Sequence, residues 1–367
     1  MKTLKIKDIC EKGSSSLKQK DIEGKDGKYP VFGASGYISS IDTYHQDKEY
    51  IAIVKDGSGI GRVNFMPAYS SVIGTMQYIL PKEGYNIKYI SYCLQSLDLS
   101  KYKQGAAIPH IYFRDYGEKF VNVEDSLIEQ ERIVSFLDAQ FARIDAIKAN
   151  AEELLQEAKA LFQNALKDLL TPKEGWEEKL LKNILLDSEN IRWQDVDKNK
   201  EYGYIDLTSV SRETKEVISP SIINSSNAPS RAKQIVKSGD LIFATTRPTL
   251  RRFCLISDVY DSQICSTGFC LLRPNKQILS SFLFYILFSD DFYFYIEPLQ
   301  TGASYPAVSD NIVKNYTIYL PSILEQEKIV EKLDELREKI TQLQSNYSQT
   351  VTLCEDLKKS LLKDIFS

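Results

Sequence analysis

Two stretches of the chain place apolar residues at alternating steps of three and four, with charged and amide residues between them. One runs Leu333, Leu336, Ile340, Leu343, Tyr347, Cys354, Leu357 and Leu361, broken at Thr350. The other runs Leu137, Gln140, Ile144, Ile147, Ala151, Leu154, Ala158, Leu161 and Ala165, broken at Gln140. A stripe sustained over several heptads predicts a coiled coil. Neither stretch holds Gly or Pro, so each predicts one continuous helix. About 45 residues at ~1.5 Å rise gives each a length of roughly 65–70 Å. Ser126 and Ser322 stand three residues before Glu129 and Glu325, the spacing of a capping box. Thr171-Pro172-Lys173-Glu174-Gly175 ends the first helix, because Pro cannot continue it, and forms a hinge. Neither helix can bury so long a stripe alone. The simplest solution pairs them antiparallel, with small Ala151, Ala158 and Ala165 permitting close approach and the domain before each helix at opposite ends. The alternative packs each helix on its own domain.

The two stretches are copies. Ser126 to Leu170 aligns with Ser322 to Phe366 at a constant offset of 196. Glu129-Gln130-Glu131-Arg132-Ile133-Val134 matches Glu325-Gln326-Glu327-Lys328-Ile329-Val330, and Leu137-Asp138 matches Leu333-Asp334. Upstream, Gly105-Ala106-Ala107-Ile108-Pro109 resembles Gly302-Ala303-Ser304-Tyr305-Pro306, and Leu4 to Ile9 loosely resembles Leu180 to Ile184. The chain is one unit written twice, a mixed globular segment followed by a long helix.

The globular segments alternate short apolar runs with turns. Tyr50 to Val54 predicts a strand, Lys55 to Gly61 a Gly-rich turn, and Arg62 to Phe65 its hairpin partner. Ile87 to Leu97 predicts a short helix. In the second copy Tyr204 to Leu207 and Asp240 to Ala244 predict strands, and the aromatic-rich Ser281 to Tyr295 a helix on a sheet. The fold class expected is mixed α/β (α+β), each domain carrying an irregular sheet.

Composition narrows the classes of function. With 367 residues and 43% hydrophobic content the chain can build two or three ordinary cores. No run of ~20 apolar residues is present, so no membrane span is expected. The N-terminal Met1 to Lys7 lacks a signal-peptide core, which predicts a cytoplasmic protein. Six cysteines occur without a C-x-x-C pair, beside His45 and His110, so neither a zinc site nor a disulfide framework is expected. The net charge of −4 disfavours nucleic acid as a partner. The distribution matters more than the sum: Arg231, Lys233, Lys237, Arg247, Arg251 and Arg252 face Asp240 alone, and the acid lies on the helical stretches.

No Walker loop, no G-x-S-x-G and no methyl-donor loop with a following Asn/Asp-Pro-Pro-Tyr occurs. Gly57-Ser58-Gly59-Ile60-Gly61 follows a strand but precedes another, not the helix N-terminus that a dinucleotide loop needs. The paired carboxylates at Glu152-Glu153 read as the solvated face of a helix. Thr245-Thr246-Arg247-Pro248-Thr249-Leu250-Arg251-Arg252 is different. It leaves a strand with three arginines and three hydroxyls, groups suited to phosphate oxygens and guanine edges. A surface loop laced with salt bridges is the alternative. Lys55, Ser58 and Arg62 are its candidate counterpart in the first copy. Nearby contact candidates are His110, Arg114, Arg231, Lys233, Ser304 and Tyr305, where structural turns are the competing reading.

Ser-x-x-Glu-Gln-Glu-Arg/Lys-Ile-Val followed by Leu-Asp, opening a long helix in both copies, resembles the specificity subunits of type I restriction-modification systems. Pro172 to Trp176 with Leu180-Leu181, and Tyr29 to Ile38, are also similar to that family, and the likeness covers nearly the whole chain. The resemblance implies target-recognition domains at 1–125 and 172–321, separated by two long antiparallel helices at 126–171 and 322–367 that form a coiled coil. Each domain would read half of a bipartite site in double-stranded DNA. The helices would set the gap and dock two methyltransferase subunits, with Glu129, Gln130, Glu131, Glu325, Gln326 and Glu327 at the helix starts. Two restriction subunits would join a cutting complex. S-adenosylmethionine and ATP would belong to those partners, leaving this chain without cofactor or catalytic centre. A tandem coiled-coil adapter that ignores DNA is the rival reading.

Overall fold

A computed structural model describes residues 1–105 and 109–367. Residues 106–108 of the Gly105 to Pro109 segment lie outside them. The chain divides into two compact units: residues 1–152 with 346–367, and residues 153–345. Both long helices, Leu127–Leu170 (the central helix) and Ile323–Phe366 (the C-terminal helix), contribute to both units. The class is mixed helix and sheet, as the alternating patterns predict.

In the first unit four antiparallel strands lie in the order Cys10–Ser14, Met76–Pro81, Tyr50–Val54, Val63–Met66. Every residue of Tyr50–Val54 is fully buried, because both faces of this central strand are covered. Ile51 and Ile53 face the helix Ile87–Gln95 and the start of the central helix, where Ile133, Val134 and Leu137 are buried. Tyr50, Ala52 and Val54 form a second core with Met66, Val72, Met76 and Tyr78. A smaller sheet, Gly36–Ile41, Tyr29–Gly33 and Ser71–Val72, lies beside them in the chain. Lys2–Lys5 pairs antiparallel with Phe120–Val123, clasping the N-terminus to the segment that leads into the central helix.

The second unit repeats the plan. Leu185–Leu186, Phe269–Pro274, Leu241–Ala244 and Phe253–Leu255 give the same strand order, and Glu177–Leu180 clasps Thr317–Leu320. A further sheet of Ser221–Ile223, Tyr202–Ile205, Ile264–Ser266 and Ala232–Ile235 is added. The two sheets are joined by Arg273, which donates to both Asp240 carboxylate oxygens at 2.8 and 2.9 Å and to the Ile235 carbonyl at 3.0 Å. Asp240, the lone acid of the basic stretch, is therefore the partner of a buried arginine. The strand expected at Tyr204 to Leu207 ends at Ile205, where the Asp206 carboxylate accepts from the Thr208 and Ser209 amides and starts a 3-10 turn. The helix expected over Ser281 to Tyr295 is two, Ser280–Phe288 and Asp290–Ile296, broken at Ser289, whose backbone is extended and whose hydroxyl donates to the Ile286 carbonyl.

Each long helix starts on its own domain through a buried glutamine. Gln130 accepts from the Asn86 amide at 2.7 Å and donates to the Glu124 and Gly84 carbonyls. Gln326 accepts from the Leu279 amide at 2.9 Å and donates to the Gln277 and Pro321 carbonyls. Both are 0% exposed, so neither is available to a docking subunit; they are corrected from partner contacts to internal ties. The capping box forms only in part. Ser322 Oγ accepts from the Glu325 amide at 3.4 Å, while Glu129 turns to Arg132 in a bidentate ion pair, a charge-assisted alternative to a bond with the helix-start amide.

The helices run antiparallel within each unit. In the first, Cys354 Sγ donates to the Ile144 carbonyl, Lys358 pairs with Asp145 at 2.6 Å, and Phe366 packs on Tyr89. In the second, Phe162 and Leu166 share a core with Leu333, Leu336 and Ile340. The seam corrects half of the predicted stripe. Leu137, Ile144, Leu333 and Cys354 are buried as expected, but Ile147, Leu154 and Leu161 are 54–68% exposed, and Leu357 is 50% exposed. Leu155 and Phe162 are buried instead. Both flanks of the central helix are apolar, so a step of three and a step of four fit equally well until a partner chooses the side. Leu155→Ala should therefore lower stability by about 2–4 kcal/mol. Leu154→Ala should change it by less than about 0.5 kcal/mol. Chemical denaturation of the two variants checks the register.

Candidate nucleic-acid interface

The loop after the central strand of each unit is built on one main-chain scheme. In the first unit, the Val54 amide donates to the Arg62 carbonyl, Lys55 to Thr75, Gly57 to Pro109, and Ile111 back to Lys55. In the second, Ala244 donates to Arg252, Thr245 to Gly268, Arg247 to Pro306, and Val308 back to Thr245. Gln104 and His110 exchange both main-chain bonds, as do Thr301 and Ala307. Lys55 to Arg62 is thus the structural counterpart of Thr245 to Arg252, residue for residue. The left-handed positions coincide as well. Gly57 and Gly61 have φ near +84°, and Arg247 and Arg251 occupy the same places at φ +49° and +53°. Glycine adopts this region without steric cost, whereas each arginine is strained there.

The first unit brings three of its five candidates, Lys55, His110 and Arg114, together. The Nδ1 of His110 lies 2.6 Å from the Asp56 carboxylate, and Lys55 Nζ is 3.9 Å from the same group. The His110 ring stacks on Tyr112, and the Arg114 guanidinium sits over the Tyr112 ring, 4.6 Å from its centre. Ser58 is exposed at the loop tip. Arg62 is exposed and donates to the Ala34 carbonyl at 3.0 Å. Asp56 and Tyr112 were not singled out from the sequence. Asp56 meets His110 across 54 residues, which no local pattern reports, while Tyr112 lies two residues from both His110 and Arg114.

In the second unit Arg247 is exposed, lies 5.0 Å above the Tyr305 ring and donates to the Ser304 carbonyl. Thr249 is exposed beside it and Thr246 half-buried. Arg251 pairs with Asp290 at 2.5 Å and covers the Tyr293 ring at 4.2 Å. Two candidates point the other way. Thr245 is buried and its hydroxyl donates to the Gly268 carbonyl at 3.0 Å. Arg252 donates to the Leu207 carbonyl, its Nε is buried without a partner, and burial lowers its pKa. Both are corrected from DNA contacts to supports of the loop. Arg231 and Lys233 are exposed on the neighbouring sheet, tied to the loop through Thr267, whose amide donates to the Arg231 carbonyl.

These surfaces offer cations, hydroxyls and aromatic rings, a set suited to phosphates and base edges. Among the described residues no group of three His, Cys, Asp or Glu is placed to hold a metal ion. The six cysteines are free and buried, and burial pushes the Cys10 and Cys254 thiols up to about 12. Among the described residues no helix is long and apolar enough to cross a membrane.

A two-copy protein that repeats one loop scheme on two like sheets is the architecture of a tandem recognition module. The family described as the type I restriction modification DNA specificity domain matches residues 1–156 and 173–353. A curated relative, the type I restriction enzyme HindI specificity subunit of Haemophilus influenzae, is 28% identical over 148 residues, 40% of this chain and 31% of its own length. The HsdS subunit of Thermoanaerobacter tengcongensis is 35% identical over 50% of this chain and 48% of its own, with a TM-score of 0.46. A structure concerned with assembly and conformational transition of the type I R-M system is 34% identical over 53% of this chain and 50% of its own, with a TM-score of 0.50. The S subunit of a type I system from M. genitalium is 16% identical over 100% of this chain and 96% of its own, with a TM-score of 0.45. The match spans about a third of the curated relative and about half of two of the solved chains. The chain belongs to the family of type I restriction-modification DNA specificity subunits.

The strain at Arg251 has a measurable consequence. Arg251→Gly removes an exposed-side ion pair and relieves a left-handed residue, opposing effects that should keep stability within about 1 kcal/mol of wild type. Arg251→Val, β-branched at positive φ, should cost about 2 kcal/mol or more. Urea titration of both separates strain from lost contact.

Proposed function

We propose that this chain is the non-catalytic subunit that reads a bipartite site in double-stranded DNA for a methyltransferase complex. The observation that carries the reading is the matched pair of loops, Lys55 to Arg62 and Thr245 to Arg252, on like sheets of a specificity-family protein. Residues 1–125 and 172–321 each read one half-site. The first uses Lys55, Ser58, Arg62, His110 and Arg114. The second uses Arg247, Thr249 and Arg251 with Thr246, Ser304 and Tyr305, and Arg231 and Lys233 meet flanking phosphates. Two weak half-site readers held on one scaffold gain affinity through effective concentration. The helices at 126–171 and 322–367 set the gap between half-sites. They also dock two methyltransferase subunits, which bring S-adenosylmethionine, through Glu131 and Glu327, which are exposed, with half-buried Glu129 and Glu325 beside them. Two restriction subunits, with ATP, complete the assembly where the system cuts DNA, in the cytoplasm. The negative net charge is compatible with this, because Arg231, Lys233, Lys237, Arg247, Arg251 and Arg252 cluster around the second loop and the partner adds phosphate contacts.

Co-expression with the methyltransferase encoded beside the gene, followed by single-molecule mapping of methyladenine, tests the reading. The expected result is a split motif, two short half-sites around a fixed gap. A methyltransferase that binds this chain, is active, and yet places no such motif overturns it in favour of an adapter. Arg247→Ala with Arg251→Ala should weaken DNA binding by about tenfold or more and lower the slope of log K against log salt by about 2.

A further inference from the structure

Lys215 is a buried cation that the loop scheme does not by itself require. It is 7% exposed and sits in a left-handed turn at φ +62°. Its ammonium donates to the main-chain carbonyl of Arg251 and lies 4.8 Å from the Phe253 ring centre and 5.6 Å from that of Phe288. No ion pair includes Lys215 among the described residues: Asp290 pairs with Arg251, and the Asp334 carboxylate accepts a hydrogen bond from the Tyr285 hydroxyl. The charge is thus spent on one carbonyl and two aromatic faces. That carbonyl belongs to the strained arginine of the reading loop. The equivalent place in the first unit is Gly61, which as a glycine holds the left-handed conformation, φ +84°, without steric cost.

We propose that Lys215 is a positioning residue for the arginine loop, its buried ammonium holding the Arg251 main chain in the left-handed turn from which Arg247 and Arg251 meet DNA, so that reading by the second unit responds to pH. This rests on the DNA-reading function proposed above. An arginine backbone in the left-handed region stays there only where its surroundings over-determine it. Lys215 and the Asp290 pair supply that constraint from two sides.

The charged groups facing Lys215 come from three elements. Arg212, Glu213 and Glu216 belong to its own turn, Arg251 to the loop, and Arg337 and Asp334 to the C-terminal helix. Arg337 also donates to the Thr214 carbonyl at 3.0 Å, closing the turn over the lysine. Burial first, then repulsion from Arg251, Arg337 and Arg212, lowers the Lys215 pKa from 10.5 to about 8, with Glu213 opposing. A phosphate on Arg251 cancels part of that repulsion and raises the pKa, so DNA binding takes up a proton. By linkage, affinity is full below the folded pKa and falls as pH rises through it. Stability moves the other way. Because the folded pKa lies below the unfolded one, deprotonation relieves the burial penalty and stability rises as pH climbs from about 8 toward 10.5.

The test uses the full chain in complex with its methyltransferase subunits. DNA affinity of the wild type, Lys215→Arg and Lys215→Met is measured at about pH 7 and about pH 9, with thermal melts alongside. Wild-type affinity should fall by about three- to tenfold over that range while the melt does not drop. Lys215→Arg, charged throughout, should flatten the profile and keep the affinity. Lys215→Met, which retains the apolar stem, should bind weakly at both pH values. Methyladenine mapping of the Met variant should show lost discrimination in one half of the motif, with the other half intact. Wild-type affinity and an unchanged pH profile in Lys215→Met would overturn the proposal. Loss of both halves equally would overturn it too, as a general folding defect. A wild-type complex that methylates no split motif would instead remove the DNA-reading function on which it rests.

Discussion

A buried amide must find all its hydrogen bonds inside the protein, and that requirement at Gln130 and Gln326 organises each unit. Each side chain collects one amide and two carbonyls from the strand-to-helix segments around it. Leaving such groups unpaired costs about 1–3 kcal/mol each, so the long helix departs from its domain in one direction. A second tie repeats nearby: Tyr92 donates to Asp138 and Tyr285 to Asp334, about two helical turns further on. Both helix starts are thereby tied to their own sheets independently of the contacts between helices.

The two matched loops depend on the same sheets. The strand Tyr50–Val54 and its counterpart Leu241–Ala244 are buried on both faces, so the residues that follow leave a rigid edge. Main-chain bonds to the Pro109 and Pro306 segments then hold the loops from the far side. Backbone does the shaping and side chains are free to differ. The first loop carries three glycines where the second carries Arg247, Thr249 and Arg251. The first therefore takes its conformation at no steric cost, and the second needs Lys215, Asp290 and Tyr305 around it. The result is one scaffold with two chemistries.

The chain belongs to the specificity family and carries one main-chain loop scheme twice. The internal repeat, the helix-start motif and the grouping of cations were all present in the order of residues. So was the absence of the common nucleotide-binding and hydrolase motifs. The individual contact residues were less legible. Thr245 and Arg252 have the same composition-level credentials as Thr249 and Arg247, yet face inward. Lys215 gave no local signal, because nothing in Glu213 to Glu216 says that the turn folds over two phenylalanines distant in sequence.

The sequence by itself determined the two-copy plan, the continuity of both long helices and the strands that carry the loops. Those follow from short-range periodicity, Gly and Pro placement and the 196-residue echo. Tertiary structure alone decided which flank of the central helix is buried. Leu154 and Leu155 are chemically the same, and only the position of the facing helix distinguishes them. It also decided that Arg252 supports the loop while Arg247 faces solvent, and that a lysine and an aspartate from distant segments hold Arg251. The reason is common to all three. Side-chain direction is set by what lies across the gap, and that neighbour is remote along the chain.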